Sequence, residues 1–229
     1  MFRAAPGIAA GLASAGCSGP LSTLQPEGPS AQAIATLWWI MLAGGTAIFL
    51  AVSLVLWLAV ARPSALRATG ARATILWGGI VVPSIVLMML VAAAFALGER
   101  LLAKPGEPPP LRIEVAARQW AWEFRYPGDR AARTLDRLVM PAGRAVDFAV
   151  TSEDVIHSFW IPRLGGKIDA IPGHENLVRL RADRPGIYGG VCAEFCGDGH
   201  AVMRFTVEAV TAEEFDAWLA GREESETGS

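Results

Sequence analysis

The sequence predicts a two-helix transmembrane hairpin followed by an all-β domain, a Greek-key β-sandwich or barrel. Three observations carry this expectation. Residues 34–61 and 73–98 contain no charged residue, and each exceeds the roughly 20 residues a helix needs to cross a hydrocarbon core. The short connection between them holds Arg62, Arg67 and Arg72 and no acid. From Leu111 onward charged residues return, and apolar residues fall into short runs broken by Gly and Pro, as in strands and turns.

The N-terminal elements follow in order. Residues 1–33 read as a signal-like or lipoprotein-like N-terminus with a linker. Arg3 precedes a weakly apolar stretch ending Leu12-Ala13-Ser14-Ala15-Gly16-Cys17, and small residues before a Cys resemble a bacterial lipoprotein cleavage site. The other reading of Cys17 is a free thiol on an uncleaved tail. Residues 19–30, with Pro20, Pro26 and Pro29, read as a short linker. Residues 34–98 form the hairpin, with Trp38 and Trp39 near the start of the first span as an interfacial belt. Pro83 lies inside the second span, where a membrane helix tolerates it if neighbours satisfy the freed carbonyl. The arginine-rich connection places the hairpin's bend in the cytoplasm, so both chain ends lie outside.

Residues 99–110 are a linker, and residues 111–221 form the exported β domain. Strands are expected at 111–115, 120–126, 145–151, 177–181 and 203–210. Thr211-Ala212-Glu213-Glu214 is a capping-box pattern, so residues 215–220 should form a short helix. Residues 222–229 read as an acidic tail. Residues 111–229 hold 19 acids and 14 bases, a net of −5, whereas residues 1–110 hold three acids and six bases, a net of +3. An acidic exported domain serves solubility, or it docks a basic partner. Charged residues are 18% of the chain, below the about 25% of soluble domains. That composition excludes a disordered chain, a coiled coil and a nucleic-acid binder of the basic-patch kind. Three Cys are too few for a disulfide scaffold.

One segment concentrates metal-ligand chemistry. Cys192, Cys196, His200 and Met203 fall within twelve residues, after the strand end at 188–191. Thiolate and thioether are soft donors, and with imidazole they suit copper. Two thiolates four residues apart can bridge two copper ions, each then needing its own terminal imidazole. His200 supplies one. Of the two remaining His, His157 follows a predicted strand and is the better second, while His174 sits in a turn sequence and reads as a surface side chain. Other readings are a Cys192–Cys196 disulfide, a Cys₂His₂ zinc site, and ordinary packing of His200 and Met203. Each leaves part of the donor set unused. Phe195, Ile161 and Phe205 are expected to supply a dry shell.

The chain resembles subunit II of bacterial haem–copper cytochrome c oxidases over roughly residues 31–220. The family's loop is Cys-x-Glu-x-Cys-x-x-x-His-x-x-Met, and every position is present from Cys192 to Met203. Ser152-Glu-Asp-Val-Ile-His157-Ser-Phe-Trp160, Asp169-Ala-Ile-Pro-Gly173 and Gln119-Trp120-Ala-Trp122 also match, with Ala121 where Tyr is usual. The resemblance implies a periplasmic cupredoxin domain with a dinuclear copper centre, CuA. Cys192 and Cys196 would bridge the coppers, and His157 and His200 would be the terminal ligands. Met203 and the main-chain carbonyl of Glu194 would be the weak ligands. The Glu194 carboxylate would reach a Mg or Mn ion shared with subunit I, and Trp120 would be the point where electrons from cytochrome c enter. Glu153 and Asp154 would belong to the docking face.

The same resemblance implies a bacterial inner-membrane complex with a haem-bearing subunit I and subunit III, and no nucleic-acid partner. The chain itself would be an oxidoreductase subunit whose oxygen-reducing site lies elsewhere. Many members carry a Glu just before the second span, at the mouth of a proton pathway. Residues 71–77 hold no carboxylate, so the proton entry must differ or another subunit must supply it. Rival readings are subunit II of a quinol oxidase, the CuA subunit of another respiratory reductase, and a membrane-anchored copper carrier or storage lipoprotein.

Overall fold

The computed structural model describes residues 17–62, 70–101, 110–128 and 132–225. They divide into two compact units: residues 36–104, and residues 1–35 together with 105–229. The cleavage-site stretch before Cys17, the connection containing Arg67 and most of the 99–110 linker lie outside the described residues.

The hairpin unit is helical. Helix α1 spans Pro29–Ala61. Helix α2 (Ala71–Leu76) continues through a π-helical turn (Trp77–Val81) into α3 (Val82–Leu101). Both spans are long and apolar enough to cross a membrane. Large side chains such as Phe49, Trp57, Val60 and Phe95 are exposed along them, which water would penalise and a hydrocarbon surround would not. The π turn has a local cause. Pro83 has no N–H, and its ring would clash with the carbonyl four residues back. Immediately before it the helix widens, and the Val82 N–H donates to the Trp77 carbonyl five residues earlier. The first helix begins five residues before the expected 34, because Pro29 occupies the first helical position, where a missing N–H costs nothing.

The second unit is a sandwich of two five-stranded sheets. One sheet has the order β3 (Arg133–Leu135), β2 (Ala121–Arg125), β1 (Leu111–Arg118), β5 (Val146–Ser152), β8 (Asn176–Leu180). The other has β4 (Arg137–Pro141), β10 (Arg204–Val210), β9 (Gly186–Cys192), β6 (His157–Trp160), β7 (Ile168–Ala170). β1 pairs with β5 and β4 with β10 in parallel; the other pairings are antiparallel. Burial alternates along β2 and β10, as a strand with one face on a core requires. The inward residues Trp122, Phe124, Phe148, Phe159 and Phe205 form an aromatic cluster, with the Phe159 and Phe205 rings stacked at 5.1 Å. Such pairs add about 0.5–1.5 kcal/mol each beyond their buried area.

The final helix α4 (Ala212–Ser225) is longer than the expected 215–220 and takes in part of the tail. Its start follows the capping box: Glu214 N donates to Thr211 Oγ1 at 3.2 Å, and Thr211 N donates to Glu214 Oε2 at 2.9 Å.

Residues 19–30 differ from the linker expected of them. They form a strap docked on the sandwich. Gly189 N donates to Pro20 O at 3.2 Å, Glu27 N to Arg163 O at 2.7 Å, and Asp183 N to Glu27 O at 2.8 Å. The Glu27 carboxylate meets Arg163 Nη2 at 3.1 Å and Arg184 Nε at 3.2 Å. Gly28 lies against the Arg181 carbonyl, where a Cβ would not fit. Composition reads such a stretch as a linker because these bonds are long-range and mostly through backbone. Glu27→Ala is expected to lower the stability of this unit by about 1–2 kcal/mol, since it removes partly buried charged hydrogen bonds. Thermal unfolding of the full chain checks it; an unchanged midpoint would show the strap to be ornamental.

Candidate metal centre

The site is built at one end of the second sheet by strand register. In the antiparallel pairing of β6 with β9, Phe159 stands opposite Cys192, and Ala193 N donates to Ser158 O at 2.9 Å. Because side chains repeat every two residues on a strand, His157 shares the inward face of Phe159 and lies beside the loop that leaves β9. That loop, residues 193–203, joins β9 to β10. Its base is closed by Cys192 N donating to Met203 O at 3.0 Å. Within it, Gly197 adopts φ +110°, and a single 3₁₀ turn (His200–Val202) brings His200 back over Cys196.

The donors converge. Cys192 Sγ lies 3.8 Å from Cys196 Sγ, 3.8 Å from His157 Nδ1 and 3.2 Å from the Glu194 carbonyl. Cys196 Sγ lies 3.7 Å from His200 Nδ1 and 3.7 Å from Met203 Sδ. His157 Nδ1 or Nε2 and the two sulfurs fall within 4.8 Å of one another, and all three residues are buried. The sulfurs are too far apart for a disulfide, which needs about 2.05 Å, and both cysteines are free. The set therefore has two sides around a shared pair of sulfurs: His157 and the Glu194 carbonyl at Cys192, and His200 and Met203 at Cys196.

Two neighbours prepare these donors. His157 is fully buried (0% exposed), and its Nε2 lies 2.9 Å from Asp154 Oδ1. That bond occupies the far ring nitrogen and leaves Nδ1 facing Cys192, the arrangement by which a carboxylate orients a ligating imidazole. Burial raises the Asp154 carboxyl, but the bonds from His157 and from the amides of Gln119 and Val155 outweigh it and hold the group below its usual value. At Cys196, 4% exposed, burial and the adjacent Cys192 push the thiol up to about 12. A metal ion entering at neutral pH must therefore displace the Cys196 proton.

Trp120 lies at the exposed edge, just before β2, where the Gln119–Trp120 peptide bond is cis. It is 42% exposed, and its Nε1 donates to the Cys196 carbonyl at 3.2 Å. Its ring covers Gly199, where a Cβ would collide with it. The exposed Glu194 carboxylate lies 3.6 Å from Lys167 Nζ. His174 is exposed in its turn and is not one of the converging donors.

One expectation fails. Of the expected dry shell, Ile161 and Phe205 are buried, but Phe195 is 76% exposed. It follows Glu194 in the loop, and its ring meets that of His200 edge-on, with ring centroids 5.7 Å apart. The sequence reading also missed Asp154 as the partner of His157, and it missed Gln119 and Lys167. The i, i+3 spacing of Asp154 and His157 after a strand was a usable signal; Gln119 had none of its own.

The chain is similar to known proteins of one family. Residues 128–210 match the family profile described as cytochrome C oxidase subunit II, periplasmic domain. The chain is 38% identical over 142 residues to the cytochrome c oxidase subunit 2 of Alkalihalophilus pseudofirmus, covering 60% of this chain but only 41% of that protein. It is 32% identical over 184 residues to the cytochrome c oxidase subunit 2 of Arabidopsis thaliana, covering 69% and 70% of the two chains. It is also 31% identical, over an alignment of 240 positions, to the ubiquinol oxidase subunit 2 of Acetobacter aceti, covering 93% of this chain and 72% of that one.

Proposed function

We propose, from the premise that this chain belongs to the cytochrome c oxidase subunit II family, that its β domain accepts electrons from a cytochrome c at a dinuclear copper centre and passes them to a haem-bearing subunit I that reduces oxygen. The observation that carries this reading is the pair of buried, unbonded sulfurs 3.8 Å apart, with an imidazole Nδ1 beside each.

The donor set fits two coppers by its chemistry: Cys192 and Cys196 would bridge, His157 and His200 would cap the ends, and Met203 and the Glu194 carbonyl would complete it. When bound, a copper pair sharing two thiolates supplies a one-electron site whose charge is spread over both metals, so that little geometry changes on reduction. The chain's own residues do the rest. Asp154 holds the His157 ring, the sheet pair β9–β10 holds the loop, and Ile161 and Phe205 keep water from its base. The exposed face of Trp120 would receive the electron from the donor, and the bond from its indole N–H to the Cys196 carbonyl gives a short bonded route inward. The acidic surface around Glu153 and Asp154 would face a basic cytochrome c, where charge speeds encounter.

The hairpin anchors the chain in a membrane. In this reading that membrane is the bacterial inner membrane, both chain ends face outward, and subunits I and III pack on the exposed helices. Cys17, exposed at the start of the described residues, would carry the lipid. The Glu194 carboxylate would hold the shared Mg or Mn ion only with ligands from subunit I, since in this chain its nearest charged partner is Lys167.

The long alignment with a ubiquinol oxidase subunit favours a second reading, a quinol-oxidising complex. That reading leaves the convergence of Cys192, Cys196, His157 and His200 without a purpose. Copper reconstitution separates the two. Two coppers per chain and a seven-line electron paramagnetic resonance pattern, from one electron shared by two spin-3/2 nuclei, are expected; a chain that takes up no copper would support the quinol reading. Trp120→Phe is expected to slow reduction by cytochrome c several-fold at unchanged copper content, as read by stopped-flow absorbance. Loss of copper from that variant would reduce Trp120 to a packing role.

A further inference from the structure

We propose that Gln119 is a positioning residue of the metal centre, bracing both sides of the donor set and tuning its reduction potential through its side-chain amide. The proposal rests on the copper reading above.

Gln119 reaches the centre twice. Its Nε2 donates to the Cys196 carbonyl at 2.7 Å, and its backbone N donates to Asp154 Oδ2 at 2.7 Å. The other oxygen of that carboxylate holds His157 Nε2 at 2.9 Å. One residue therefore ties the loop that carries Cys196 to the carboxylate that orients His157, although the two lie 42 positions apart at Asp154 and Cys196. Among the described residues, the backbone joins β6 to this region through the β6–β9 ladder at the loop's base and the Ala193 N to Ser158 O bond, and not at Cys196 itself. The amide also lies over the Cys196–Gly197 peptide, where a Cβ on Gly197 would stand 3.1 Å from Gln119 Nε2.

The Cys196 carbonyl accepts from both Gln119 and Trp120, and the Gln119 bond is shorter by half an ångström (2.7 against 3.2 Å). Gln119 is thus the stronger anchor of a peptide group that Trp120 shares. The electrostatic sign follows. The N–H end of the amide dipole points at the loop, and positive potential there favours an added electron. Donors around ligand residues also fix their geometry. Removing this donor should leave the ligands in place, because the backbone N–H to Asp154 survives any side-chain change, and should lower the potential.

The test uses the full chain in detergent, loaded with copper. Gln119→Leu and Gln119→Asn are titrated potentiometrically beside the parent, with electron paramagnetic resonance at each point; the first removes the donor, and the second shortens its reach by one methylene. The expected result is two coppers per chain in every case, a several-fold fall in the one-electron equilibrium constant for both variants, and an altered hyperfine splitting. Gln119→Glu, which sets an oxygen against the carbonyl, should lower the constant further. Equal potentials and splittings in parent and variants would overturn the bracing alone. A parent without the shared-electron spectrum would overturn the copper reading and the bracing together. If Gln119→Leu fails to fold, Gln119→Asn decides by the same readouts.

Discussion

Replacing Cys196 with serine is expected to abolish the copper pair. Cys196 is the hub of the donor set, within 3.8 Å of the Cys192 sulfur and 3.7 Å of both His200 Nδ1 and Met203 Sδ. A serine oxygen is smaller and harder than a thiolate and does not bridge soft copper ions. It also withdraws the sulfur that faces both His200 and Met203. The variant should bind at most one copper per chain, held by Cys192 and His157, with a four-line spectrum in place of the seven-line one. Electron uptake from cytochrome c should fall below detection in the same preparation. Metal analysis and the spectrum together check this. Two coppers with the parent spectrum would show that Cys196 is not a bridging ligand. Far-ultraviolet circular dichroism guards against a folding artefact.

Asp154→Ala is expected to weaken copper binding by about 10–100-fold, the usual cost of losing the partner that orients a ligating imidazole. His157 is fully buried, so its Nε2 cannot turn to water for a replacement bond. The amides of Gln119 and Val155 lose the same acceptor. Asp154→Asn retains a carbonyl oxygen of similar reach and should recover part of the affinity. Competition with a copper chelator of known strength measures both variants. If Asp154→Ala bound copper as tightly as the parent, Asp154 would belong only to the acidic surface, the role the family resemblance implies.

Much of this protein is legible in its sequence. The two spans are visible because a membrane helix must be apolar along its whole length, and residues 34–61 and 73–98 advertise it. The loop from Cys192 to Met203 is visible because its donors are close in sequence. Strands β1, β2, β5, β8 and β10 announce themselves by alternation or β-branched runs. β9, rich in Gly, shows only its end at 188–191, and β3, β4, β6 and β7 do not register. β3 and β7 have three residues each, too few for a period to register. β6 spans His157–Trp160, a mixed polar and aromatic run that reads as strand only when paired with β7 and β9. The strap at residues 19–30 differs from its sequence expectation for a related reason. Its Gly, Pro and Ser residues look like a linker, and what pins it are backbone groups of residues more than a hundred positions away.

Local chemistry in the chain was enough to define the membrane hairpin and the soft donors of one loop, because hydrophobic length and ligand spacing are properties of contiguous residues. Register and distance belong to the folded domain. Only the pairing of β6 against β9 brings His157 to Cys192, 35 positions later, and only the packing of β1's end against the loop sets Gln119 and Trp120 on the Cys196 carbonyl. Those contacts join segments far apart in the chain, and nothing in either segment alone records where the other will lie.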